Sequence, residues 1–182
     1  MNHNKIDWYY IICTTVVAFL LGTILHFVYD WTGGNQIVGL FCPVNESIWE
    51  HLKLILYPVL ILWLVTLRRN TMNPPFLFAN RMSACLISIL IGMVTTASLY
   101  YLFHGGFRIT LLILDLLFYA IGLFLGQLHA SILTFHRVIP KWIGIVCLIG
   151  ILALVGIFAY CTFYPLELPI FKETIVVIPV NS

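Results

Sequence analysis

Histidine and carboxylate side chains at the edges of long apolar runs are the residues of this sequence best suited to chemistry. The stretch FCPVNESIWEHLKL, residues 41–54, places Glu46, Glu50, His51 and Lys53 at the start of such a run. Imidazole nitrogens and carboxylate oxygens bind zinc, and a catalytic zinc site uses three protein ligands and keeps one position for water or substrate. The pattern therefore indicates metal-assisted hydrolysis.

The predicted metal ligands are three histidines from separate segments, namely His26, His51 and His104. The sequence contains no HExxH motif, so this assignment rests on residue type and on a shared depth in the fold. Glu46 or Glu50 is the predicted general base on metal-bound water, and Asp115 is a third predicted catalytic carboxylate. The predicted cofactor is zinc or another divalent metal ion.

Five further polar residues are predicted to orient the ligands or to bind substrate: Asp30, Asn45, Ser47, Lys53 and Arg108. Asp30 follows His26 by four residues and so lies on the same helix face, where its carboxylate can orient the imidazole. A purely structural interpretation of residues 47–53 also exists. Ser47 and Glu50 fit a capping box, and Lys53 can extend its ammonium to the membrane surface.

The composition excludes an ordinary soluble domain. Charged residues make up 9% of the chain and apolar residues 62%, and a soluble fold needs roughly 25% charged residues to cover its surface. The net charge of +2 is small and scattered, which argues against a nucleic-acid partner. The chain is therefore predicted to be an all-α, polytopic helix bundle whose main partner is the lipid bilayer.

Five apolar runs predict five transmembrane helices within one transmembrane domain spanning residues 1–182: about 8–29, 47–67, 83–103, 109–134 and 142–163. Asp7 is the predicted N-cap of the first helix. Pro58 is expected to kink the second helix, or to leave a carbonyl that a neighbouring group must satisfy. Gly122 and Gly126 form a small-xxx-small pair that favours close contact with another helix.

Basic residues decide the predicted orientation. The second and fourth connections carry the basic residues Arg68, Arg69, Arg81, Arg137 and Lys141, whereas residues 30–43 contain no Lys or Arg. By the positive-inside rule the amino terminus lies inside and the carboxyl terminus outside. The tail 173–179, ETIVVIP, is too short for a sixth span and is expected to lie across the outer face.

This topology brings several ionisable residues to one level. The outer quarter of the bundle would hold His26, His51, His104 and Asp115, and ionisable side chains at membrane depth usually serve a function. We therefore expect a shared polar pocket that is open to the outside. The same topology places Cys42 at the outer surface, where a membrane-impermeant thiol reagent is expected to reach it.

The block LHFVYDWTGGNQIVGLFCPVNESIWEHLKLILYP, residues 25–58, resembles a family of small bacterial integral membrane proteins classed as a domain of unknown function. The rest of the chain resembles that family mainly in hydropathy and in the number of spans. The resemblance implies a multi-pass protein of the bacterial plasma membrane. It implies no activity, substrate or catalytic residue.

Three classes of function remain open at this point. The first is a metal-dependent intramembrane hydrolase of a lipid or lipid-linked substrate. The second is a carrier of a small solute, ion or lipid, for which Asp115, Tyr119 and His129 on one face of the fourth span would form a polar track. Five spans without an inverted repeat suit a carrier only as a homodimer. The third is an accessory subunit that docks another membrane protein.

Overall fold

The computed structural model describes residues 6–66 and 74–173, without the side chains of residues 66, 74–77, 135 and 136. Arg68 and Arg69, on which part of the orientation argument depends, lie outside these ranges, as do residues 174–179 of the predicted tail. Glu173 is described, and it forms an isolated antiparallel bridge with Ser47.

Within the described ranges the chain is all-α. The α-helices in chain order are α1 Trp8–Trp31, α2 Gln36–Gly39, α3 Ile48–His51, α4 Lys53–Thr66, α5 Pro74–Tyr101, α6 Leu112–His136 and α7 Lys141–Phe163. A π-helical turn, Leu102–Phe107, extends α5, and a 3-10 turn covers Pro169–Phe171. Five helices are long and apolar enough to cross a membrane, with α3 and α4 together forming the second. The prediction of an all-α protein with five such helices is confirmed.

The third long helix begins earlier than the predicted residue 83. It starts at Pro74, because proline is tolerated in a first helical turn, where its missing N–H has no intrahelical role. The polar residue Asn80 then becomes part of a helix contact. Its side-chain amide donates to the Leu133 and Thr134 carbonyls of α6, at 3.1 and 3.3 Å, and its oxygen accepts from the Ile139 N–H at 3.1 Å.

Helix α5 lies at the centre of the bundle and contacts α4, α6 and α7, while α1 packs against α4 and α6. Close packing of α5 on α6 depends on small residues. A Cβ atom at Gly122 would clash with the Gly92 carbonyl and the Thr96 hydroxyl, and one at Gly126 would clash with the Ser88 carbonyl. The predicted close contact at this glycine pair is confirmed.

Pro58 lies inside α4, where its ring removes the N–H that would bond the carbonyl of Leu54. The hydroxyl of Tyr119, on α6, donates to that carbonyl at 2.8 Å, and it also lies 3.3 Å from the Ala18 carbonyl of α1. The expected rescue of a freed carbonyl by a neighbouring group is therefore confirmed. One tyrosine links three helices in the middle of the bundle.

This contact predicts the effect of Tyr119→Phe. The Leu54 carbonyl would lose its donor, which should lower the free energy of unfolding by about 1–3 kcal/mol. Pro58→Ala restores a backbone N–H to the same carbonyl, so Tyr119→Phe should cost less in the Pro58→Ala background. Steric-trap unfolding in bicelles measures the four free energies of this double-mutant cycle. Equal costs in both backgrounds would show that the tyrosine does not act through Leu54.

Candidate metal centre

Three of the polar side chains meet at the end of the bundle where α1 ends and α4 begins, here called the site end. His26 lies one turn before the end of α1, Glu46 lies in the loop before α3, and His51 is the last residue of α3. Each can offer one nitrogen or oxygen such that the three atoms lie within 4.8 Å of one another. The imidazole rings of His26 and His51 have centroids 5.1 Å apart.

The hydrogen bonding of His51 selects the nitrogen that can act as a ligand. Its Nδ1 lies 2.8 Å from the Ser47 carbonyl oxygen, which can only accept, so Nδ1 carries the proton. Its Nε2 faces Glu46, 3.4 Å from Oε2, and becomes the ligand nitrogen when it carries no proton. A backbone carbonyl that holds the second nitrogen is the usual support of a metal-binding histidine.

His26 also carries a nitrogen whose hydrogen bonding is unsatisfied. Its Nδ1 is buried and has no hydrogen-bond partner among the described residues. A buried polar atom without a partner costs free energy, and a metal ion would satisfy it. Two imidazoles and one carboxylate are also the donor set of catalytic zinc sites with one open position. The residues present therefore fit the predicted divalent metal.

Glu46 completes the set as an anion. The hydrogen bond with His51 lowers the pKa of the Glu46 carboxyl below its ordinary value, although partial burial acts in the opposite direction. The side chain is 69% exposed, so it reaches the histidines from the loop and is not enclosed by the bundle. Asn45 shapes this loop by accepting the Ser47 N–H at 3.0 Å.

His104 is not part of this group. It lies in the π-helical turn after α5, and its Nε2 is 2.8 Å from Oδ1 of Asp115, in the first turn of α6. The ring stacks on Tyr100 at a centroid distance of 4.0 Å. Asp115 interacts electrostatically with His51, and the His104–Asp115 pair lies at the same end of the bundle as the three grouped side chains.

Glu50 points away from the three grouped side chains into a buried ion pair with Lys53. The two charged atoms are 2.5 Å apart, and the Lys53 side chain is fully buried. The Lys53 ammonium also donates to the carbonyls of Gly39 and Cys42, at 2.7 and 3.2 Å. The expectation that Lys53 extends to the membrane surface is wrong, because loop carbonyls and a carboxylate replace water around its ammonium.

The predicted capping box forms only in part. Ser47 accepts the Glu50 N–H at 3.3 Å, but the Glu50 carboxylate accepts the Val44 N–H at 3.1 Å and the Thr162 hydroxyl at 3.3 Å. No pattern in the sequence pointed to Thr162, because this residue lies inside an apolar run at the end of α7. Its role depends on the packing of α7 beside the loop.

Among the remaining predicted residues, Asp30 and Arg108 are exposed. Asp30 attracts His26 electrostatically from one turn further along α1. Arg108 ends the π-helical turn in a left-handed conformation with φ of 57°. Cys42 is buried, and burial raises the pKa of its thiol. The expectation that a thiol reagent reaches Cys42 is therefore wrong, although the residue lies in the expected loop.

Comparison with protein families finds a match over residues 1–177 to a family of unknown function, DUF6512. No curated protein matches the chain, and no solved structure matches it. The function must therefore be inferred from the residues themselves.

The buried ion pair predicts a large effect of Lys53→Met. An unpaired Glu50 carboxylate would remain buried, which should lower the free energy of unfolding by about 3–5 kcal/mol. The double variant Glu50→Gln/Lys53→Met removes both charges and keeps an amide oxygen for the Val44 N–H, so it should be the more stable of the two. Steric-trap unfolding measures the free energy of unfolding of both variants. Lys141→Met, which replaces an exposed lysine, is the control. A Lys53→Met protein as stable as the control would contradict the role of the pair.

Proposed function

We propose a metal-dependent hydrolase function for this chain, which belongs to the family of unknown function DUF6512. In this proposal His26, Glu46 and His51 hold one divalent metal ion, with zinc as the first choice, and the substrate is a lipid or a lipid-linked molecule. The five membrane-length helices support a substrate that reaches the site from the bilayer.

The observation that carries the proposal is the convergence of three ligand atoms within 4.8 Å of one another. Ligands of one tetrahedral zinc ion lie about 3.4 Å from each other, given metal–ligand distances of about 2.1 Å. Small side-chain rotations would bring the three atoms to that spacing. Residues 25 positions apart along the chain, His26 and His51, have no local reason to meet in this way.

A bound zinc ion would supply an acidified water molecule as the nucleophile. With Glu46 as a proposed ligand and Glu50 bonded to Lys53, Asp115 is the remaining predicted catalytic carboxylate, and we infer that it receives the proton of that water. His104 holds Oδ1 of Asp115 at 2.8 Å and so orients it. We assign Asp115 the role of general base and His104 the role of its positioning partner.

We also propose that the protein lies in the bacterial plasma membrane with the site end outside. The basic residues Arg137 and Lys141 lie at the opposite end of the bundle and support this orientation. The site would then face the outer leaflet, where a hydrolase meets lipid and water together.

The carrier alternative receives less support from the geometry. The Tyr119 hydroxyl of the predicted polar track is bonded to backbone carbonyls of α4 and α1. His129 is exposed, and its Nδ1 bonds the Leu125 carbonyl of its own helix at 2.8 Å. The Tyr119 hydroxyl therefore serves helix packing, and His129 lies on the outside of the bundle and not along an interior track.

Metal content tests the proposed site. Protein expressed with zinc, purified in detergent and analysed by inductively coupled plasma mass spectrometry should carry about one zinc ion per chain. His26→Ala, Glu46→Ala and His51→Ala should each weaken zinc binding more than the loss of an outer-shell partner, which costs about 10–100-fold. His129→Ala is the matched control, since this histidine lies far along α6 from the site. Zinc retained by both His26→Ala and His51→Ala would rule out the site.

Hydrolysis is measured on the same samples. Zinc-loaded protein in vesicles of total bacterial lipid should release fatty acid or head-group products that mass spectrometry detects. Asp115→Asn should keep the zinc and lose about 10²–10⁴-fold in rate, which is the usual contribution of general-base catalysis. Zinc binding without release of any lipid product would support the metal site and contradict the proposed hydrolysis of lipid.

A test of the orientation by thiol labelling requires engineered cysteines, because Cys42 is buried. In a variant without the natural cysteines, Thr32→Cys places an exposed thiol at the site end and Val138→Cys places one at the opposite end. A membrane-impermeant maleimide added to whole cells should label the first and spare the second. The reverse pattern would show that the site end faces inward.

A further inference from the structure

A half-open cavity of about 180 Å³ lies at the site end, between the end of α1, the following loop and the end of α7. Its lining consists of Tyr29, Gln36, Gly39, Val44, Thr162 and Phe163. The cavity is large enough for a small organic group and larger than a metal ion needs.

The wall of the cavity is fixed by the buried ion pair behind it. Lys53 donates to the carbonyl of the lining residue Gly39 at 2.7 Å. Glu50 accepts from the Val44 N–H at 3.1 Å and from the Thr162 hydroxyl at 3.3 Å. Half of the lining residues are thus bonded to one buried pair. Buried charges are expensive in a membrane bundle, and here they hold the cavity wall in a preformed shape.

The chemistry of the lining favours an uncharged ligand. Lys53 is fully buried and Glu50 is 2% exposed, so their charges neutralise each other behind the wall. Among the lining side chains, the Tyr29 hydroxyl and the Gln36 amide can donate and accept hydrogen bonds, while the Thr162 hydroxyl donates to Glu50 and Phe158 and can only accept from a ligand. Phe163 and Val44 add apolar surface. No lining residue offers a cation to a phosphate or a carboxylate to an amine.

The cavity lies beside the candidate metal centre and shares two chain segments with it. Tyr29 follows the ligand His26 by one helical turn, and Val44 precedes the ligand Glu46 by two residues. We propose that this cavity binds an uncharged polyhydroxylated group, such as a hexose or a glycerol, carried by the lipid that the site hydrolyses. The proposed binding does not depend on the proposed hydrolase function; only the link between this binding and hydrolysis rests on it.

Native mass spectrometry of protein ejected from nanodiscs tests the binding. The nanodiscs contain phosphatidylcholine with equal small fractions of monoglucosyl diacylglycerol and phosphatidylserine. Wild-type protein should retain the glucolipid in clear excess over the anionic lipid. Tyr29→Phe/Gln36→Leu removes two hydrogen-bonding groups and keeps the shape of the lining, so glucolipid retention should fall about tenfold. Tyr164→Phe, at the same end of the bundle and outside the lining, should behave as wild type.

Two further samples identify the source of the ligand and separate the two proposals. Free glucose added in excess should leave the glucolipid bound if the lipid-linked sugar is the ligand, whereas displacement would assign the site to the sugar itself. His51→Ala should lose zinc and keep the glucolipid, while the double variant should do the opposite. Equal glucolipid retention by the double variant and the wild type, or a preference for phosphatidylserine, would overturn the cavity assignment without affecting the metal site.

Discussion

The ion pair between Lys53 and Glu50 is the interaction on which the arrangement of the site end depends. Both side chains are buried, and every bond they make beyond the pair reaches the loop after α1 or the end of α7. Desolvating two charges costs several kcal/mol per ion, which only close pairing and full hydrogen bonding can offset. The pair therefore holds the loop that carries Glu46 against α3, which carries His51, and against the end of α7.

This constraint explains how a small bundle can present organised polar chemistry at a membrane surface. The glycine contacts of α5 with α6 and the Tyr119 link keep the centre of the bundle closed. The polar residues are concentrated where α1, α3 and α6 reach the end of the bundle. Three features lie at this end: the three candidate ligands, the His104–Asp115 pair and the neutral cavity.

Much of this could be predicted from the sequence because it depends on local pattern. Long apolar runs require membrane-length helices, Asp7 caps α1 by accepting the Tyr10 N–H at 3.0 Å, and a proline inside a helix frees a carbonyl. The shared level of His26 and His51 also follows from counting residues along adjacent antiparallel helices. How deep a residue lies in the bundle depends on its position along one helix, and that position can be counted from the sequence.

Which polar side chains contact one another cannot be predicted from the sequence, because these contacts depend on the rotation of each helix and on the path of each loop. The sequence determined that histidines and acids gather near one end of an all-α membrane protein. Only the tertiary structure decided that Glu46 joins His26 and His51, that His104 bonds Asp115, and that Lys53 turns inward to Glu50. A rotation of about 100° separates neighbouring residues on a helix, so side chains at the same depth can face different partners.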